Sequence, residues 1–130
     1  MERVQAVVWV DHSEARVIAL GNGRVESKLI QSTLHPDHKD SKTASFRSGH
    51  ALESGPYFSA IVGALQFAKE ILIVGPGGAR KTLAHFIHDQ VPSLAPRILG
   101  VEPFEQPSED EIVDFARKYF QRNDTTTPAL

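Results

Sequence analysis

Between Gly75 and Thr82 the chain reads Gly-Pro-Gly-Gly-Ala-Arg-Lys-Thr. This is close to the glycine-rich loop that cradles nucleotide phosphates. In that loop a glycine precedes the lysine, so that the backbone can wrap the phosphate closely. Arg80 takes that place here, and no later apolar run ends in an aspartate placed to hold magnesium. Nucleotide hydrolysis is disfavoured on both counts. Two readings remain. Gly75, Gly77 and Gly78 make a tight strand-to-helix turn, needed for steric reasons. Alternatively, the helix N-terminus and the adjacent Arg80 and Lys81 form a phosphate contact, because unpaired N–H groups and the helix dipole favour an anion there.

The acidic and imidazole side chains suggest weaker chemistries. Metal-dependent nucleases need two or three converging carboxylates. Asp11 and Glu102 each end a predicted strand, but Val74-Gly75 brings no acid and Glu70 lies at the far end. The set is incomplete, and Asp11 reads more readily as a turn residue of the Asp-His-Ser-Glu hairpin. His85 and His88 sit one helical turn apart but lack a third ligand. His35, His38 and His50 fall in a polar stretch with no preformed geometry. Ser13, Ser48 and Ser54 lack the strand-turn-helix elbow of a nucleophilic serine. No metal site and no cofactor is expected.

The polar stretch itself, residues 31–55, has no hydrophobic periodicity and mixes Lys39, Lys42 and Arg47 with Asp37, Asp40 and Glu53. Loops of this length inside a compact domain are usually functional or disordered. As a functional arm it would offer Phe46-Arg47-Ser48-Gly49-His50 to RNA, through stacking and phosphate contacts. Its acidic residues dilute that signal.

The elements that would carry these residues follow from patterning. Val4 to Asp11, Ala15 to Leu20 and Arg24 to Ile30 read as a three-stranded meander, with Val8 and Val10 on one face and Val7 and Trp9 on the other. Gly21-Asn22-Gly23 marks the second turn. Ser54 or Gly55 with Pro56 signals a helix start, and Phe58, Ile61, Val62, Leu65 and Ala68 give one apolar face. Ile71 to Val74 is a strand buried on both faces. Leu83, Phe86 and Ile87 mark the next helix, and Arg97 to Glu102 a fifth strand. Ser108 and Glu111 form a capping box before a last helix that buries Ile112, Phe115, Ala116, Tyr119 and Phe120.

The order β-β-β-loop-α-β-α-β-α predicts an α/β fold, a ribonuclease-H-like mixed five-stranded sheet of order 3-2-1-4-5. Strands 1, 4 and 5 are expected to be parallel, with helices on both faces. Right-handed crossovers are expected to put the first and second helices on opposite faces. One domain spans 1–122, with a frayed tail over 123–130. The 130 residues suffice for a single core. The net charge of -2 excludes a global basic field, and the absence of cysteine excludes disulfides. No apolar run reaches membrane-spanning length, and the charged start does not resemble a signal peptide, so a cytoplasmic location and no membrane partner are expected.

VVWVDHSEARVIAL, the long polar stretch, ILIVGPGGARKTLAHFIHD and ILGVEPFEQPSEDEIVDFARKYF resemble bacterial single-domain proteins related to archaeal and eukaryotic peptide release factors and to Pelota. These are described as translational machinery components. The likeness covers nearly all of residues 4–120. It is most specific at Ile73 to Gly77, at Gly100 to Glu102 and at Ala116 to Phe120. The resemblance implies a release-factor central-domain fold and a ribosome, rRNA or tRNA partner. In release factors the long loop carries a Gly-Gly-Gln tripeptide whose glutamine helps water attack the peptidyl-tRNA ester. The nearest echo here is Arg47-Ser48-Gly49-His50, with Ser48 for the first glycine and His50 for the glutamine. Pelota-type relatives also lack the tripeptide and act in ribosome rescue without ester hydrolysis.

The leading expectation is a non-catalytic accessory of translation. Lys39, Lys42, Arg47, Ser48, Gly49, Gly75, Gly77, Gly78, Arg80 and Lys81 would contact RNA or phosphate. The alternatives are a peptidyl-tRNA hydrolase using His50 as base or water-positioner, chemically feasible because imidazole titrates near neutrality, and a small protein-interaction module without nucleic acid. Self-association is compatible with all of them.

Overall fold

The computed structural model describes residues 4–21, 24–32, 49–105 and 108–126, with backbone only at 49–54 and 123–126. Strands β1 (Gln5–Val10), β2 (Glu14–Gly21) and β3 (Arg24–Gln31) form the meander. They are followed by helix α1 (Gly49–Leu65), strand β4 (Glu70–Gly75), helix α2 (Ala79–Gln90), a short 3-10 turn (Ala95–Arg97), strand β5 (Ile98–Pro103) and helix α3 (Glu109–Thr126). The sheet has five strands in the order β3-β2-β1-β4-β5. β1 pairs antiparallel with β2 and parallel with β4, and β4 pairs parallel with β5. Order and directions match the expected mixed sheet.

Alternation along the strands sorts the core into two layers. Val8, Val10 and Ile73 face α1 and α2, where Phe58, Ile61, Leu65, Leu83 and Ile87 close over them. Val7, Trp9, Leu72 and Val74 face α3 and pack on Ile112, Ala116 and Phe120. No buried residue in the described chain is polar or charged. Among the described residues no helix is long and apolar enough to cross a membrane.

Three expectations about the helices are corrected. α1 and α2 lie on the same face of the sheet, not on opposite faces. β3 runs parallel to β4, so the connection through α1 is a parallel crossover that passes over β2 and β1. It advances across the sheet in the same direction as the crossover from β4 to β5, and two right-handed crossovers in one direction cover one face. α1 also begins at Gly49, ahead of the Pro56 signal, which lies inside the helix. Ala51, Leu52 and Glu53 are good helix formers, and they carry the helix through the lost Pro56 N–H. The last helix runs to Thr126, into the segment expected to fray.

Arg97 falls in the 3-10 turn rather than in β5. Its guanidinium donates to the carbonyls of Gln66 (3.2 Å) and Ala68 (3.0 Å). It thus supplies donors to carbonyls of the turn that joins α1 to β4.

Candidate nucleic-acid interface

β4 ends at Gly75, whose φ of +152° lies outside the range that side chains tolerate. A methyl group on Gly75 would run into the carbonyl oxygen of Val10 on the neighbouring strand. Gly77 takes the left-handed conformation, with φ of +63°. Gly78 starts α2, and its carbonyl accepts the N–H groups of Lys81 (3.0 Å) and Thr82 (3.1 Å). Gly75 and Gly77 are therefore needed for their backbone conformations, one of the two readings of the motif, whereas Gly78, at φ -98° and with open space where a methyl group would sit, is not.

The two cations of the corner are used differently. Arg80 folds back, and its Nη1 donates to the carbonyls of Gly75 (3.2 Å) and Gly77. Gly75 O also accepts the backbone N–H of Phe104 (3.1 Å). The Phe104 carbonyl in turn accepts the indole N–H of Trp9 (3.2 Å). Arg80 thus ties the end of β4 to its own turn. Lys81 is exposed on the first turn of α2 and presents its charge to solvent.

Asp11, considered above as a metal ligand, caps its own turn. Its Oδ1 accepts the N–H groups of Ser13 (2.8 Å) and Glu14 (2.9 Å) and the Ser13 hydroxyl (3.3 Å). Glu102 accepts the hydroxyl of Tyr119 (3.2 Å) instead of turning towards Asp11. Burial, the hydrogen bond and the Glu102 charge together raise the Tyr119 pKa, against a lowering by Arg122. His85 and His88 are exposed. Among the described residues no group of three histidine or acidic side chains could hold a metal ion.

One sheet edge gathers the candidate elements. β3 leaves it at Ser32, whose N–H donates to Ser13 O (2.9 Å). The returning helix α1 is pinned there by the hydroxyl of Tyr57, which donates to Asp11 O (3.0 Å). Burial, then the charges of Asp11 and Glu14, push the Tyr57 pKa well above the usual phenol range. β1 ends there at Val10, against Gly75. Both ends of the polar segment and the Gly75–Lys81 corner therefore share the carboxyl-terminal edge of the parallel strands. Lys39, Lys42, Arg47 and Ser48 lie outside the described residues, and Gly49 and His50 open α1 rather than standing in a loop.

Sequence reasoning missed the contacts that build this edge. Gly100 is small because the Tyr119 ring crosses it, with Cζ 2.7 Å from where a methyl group would sit. Gly100, Glu102 and Tyr119 are therefore one packing unit, spread over two of the stretches that carried the family resemblance. Tyr57 could have been found as an apolar-face aromatic with a polar tip, a type that normally finds a partner when buried.

No protein-family model matches the sequence, and no curated protein matches it. Solved structures do. Thermoplasma acidophilum Pelota superposes with a TM-score of 0.60 at 22% identity, over 87% of this chain and 31% of its own. Archaeoglobus fulgidus Pelota gives 0.60 at 15% identity, over 90% and 31%. An archaeal translation termination factor gives 0.52 at 16% identity, over 88% and 34%. The chain spans about a third of the length of each. The fold is thus a Pelota- and release-factor-like α/β fold.

Proposed function

We propose that this protein is a non-catalytic accessory of translation that binds ribosomal RNA or tRNA. The observation that carries the reading is the shared edge: Ser32 and Tyr57, which flank the segment with Lys39, Lys42 and Arg47, are tied to the same carboxyl-terminal edge of the sheet as the Gly75–Lys81 corner. The likeness in fold to Pelota and to a translation termination factor supports the ribosome as the setting. The segment and Lys81 supply the phosphate contacts, and Gly49 allows close backbone approach. Arg80 contributes by holding the corner in shape, since its guanidinium already serves Gly75 and Gly77. The absence of a Gly-Gly-Gln tripeptide in the sequence supports binding without ester hydrolysis.

The test is a crosslinking map on cellular RNA, paired with release of labelled peptide from peptidyl-tRNA. Crosslinks to rRNA or tRNA through residues 31–55 and 75–81 are expected, with no peptide release. Release that disappears in His50→Ala would instead make His50 a catalytic base.

A further inference from the structure

We infer that the outer edge of β3 is a self-complementary interface that pairs with β3 of a second copy, about a two-fold axis at Ser27. Among the described residues no strand pairs with this edge. β3 also carries two large apolar side chains in water, Val25 at 44% and Leu29 at 48% exposure.

The backbone fixes which residues can pair. The N–H of Ser32 donates to Ser13 on the β2 side. Amide direction alternates along a strand, so the even-numbered residues of β3 face β2. Val25, Ser27, Leu29 and Gln31 therefore point their N–H and C=O groups outwards, away from the sheet.

The side chains then select the register. With Ser27 opposite Ser27 in an antiparallel pair, Val25 meets Leu29 of the second copy and Glu26 meets its Lys28. Every such pair occurs twice by symmetry. Val25 and Leu29 share one sheet face, opposite Leu20 and Arg16, while Glu26 and Lys28 share the other, opposite Ala19 and Val17. Apolar pairs thus line one side of the seam and ion pairs the other. Shifting the two-fold axis by one residue sets Glu26 against Glu26 or Lys28 against Lys28. Like charges directly opposite one another are destabilising, so the flanking registers are disfavoured. A strand edge with a complementary register is a template for strand addition, in which main-chain hydrogen bonds give affinity and side-chain pairs give specificity. The occupant that this pattern fits is an identical strand, because the pattern is its own complement.

The test is the solution mass of the full chain, compared with charge-reversed variants at these exposed positions. The parent is expected at twice the 14.3 kDa of one chain. Glu26→Lys and Lys28→Glu, each with an unchanged circular dichroism spectrum, are expected to be monomers. An equimolar mixture of the two is expected to form a heterodimer, and the double variant Glu26→Lys/Lys28→Glu to recover the homodimer. A monomeric parent at all accessible concentrations would overturn the inference. So would dimers that persist in both single variants.

Discussion

Several residues are fixed by a single close contact. Gly75→Ala would drive a methyl group into the Val10 carbonyl at a φ that side chains avoid. A loss of about 3 kcal/mol is expected, from backbone strain together with overpacking. The obstruction at Gly100 is a tyrosine ring able to swing away at the cost of its hydrogen bond to Glu102. Gly100→Ala should therefore cost less, about 1–2 kcal/mol. Chemical denaturation of both variants checks the order, and equal losses would contradict the difference in contacts. Tyr57 makes a pH prediction. Its folded-state pKa lies above the unfolded value, so the folded state keeps its proton longer. That contribution is complete below about pH 10, the unfolded phenol pKa, and is lost as the pH rises beyond it. Tyr57→Phe should lose about 1 kcal/mol at neutral pH, from the hydrogen bond to Asp11, and should show a shallower alkaline decline than the parent. Urea titrations at neutral and alkaline pH measure both.

At the scale of elements, binding is proposed for the polar segment, while the helices close the core. Lys39, Lys42 and Arg47 belong to the proposed contact surface, whereas Leu83 is buried on the inner face of α2. Leu83→Ala should cost about 2–5 kcal/mol of stability. Replacing the three cations by alanine should leave the melting temperature unchanged and weaken RNA binding uniformly across sequences. β1 and β4 were legible as continuous apolar runs, because each of their faces packs against a different layer. The helices were legible from their 3.6-residue apolar period, because each packs one face on the sheet. The side of the sheet taken by α1 was legible too but was misread: the expected order and strand directions already make β3 parallel to β4, so two right-handed crossovers advancing in one direction put α1 and α2 on one face. The start of α1 was hidden by Pro56, a residue that usually opens a helix and here stands inside one. Arg80 looked like a phosphate ligand because spacing records charge but not the carbonyls of Gly75 and Gly77 towards which the guanidinium turns.

For the whole molecule, net charge bears on the proposed partner. A net charge of -2 provides no general attraction to RNA, so any affinity has to come from a local cluster of cations. In the proposed reading the shared edge is that place. There Asp11 and Arg80 already serve their own backbone and Lys81 is exposed; the RNA contacts are proposed for Lys81 and the polar segment. Cosedimentation with ribosomes over a series of salt concentrations tests this most directly, for the parent and for the Lys39→Ala/Lys42→Ala/Arg47→Ala variant. Each phosphate contact steepens the fall of log affinity with log salt, and each lost contact should lower the slope by about one. The account predicts binding at low salt that declines steeply, with a slope shallower by about three in the variant. Binding indifferent to salt, or identical in parent and variant, would contradict it.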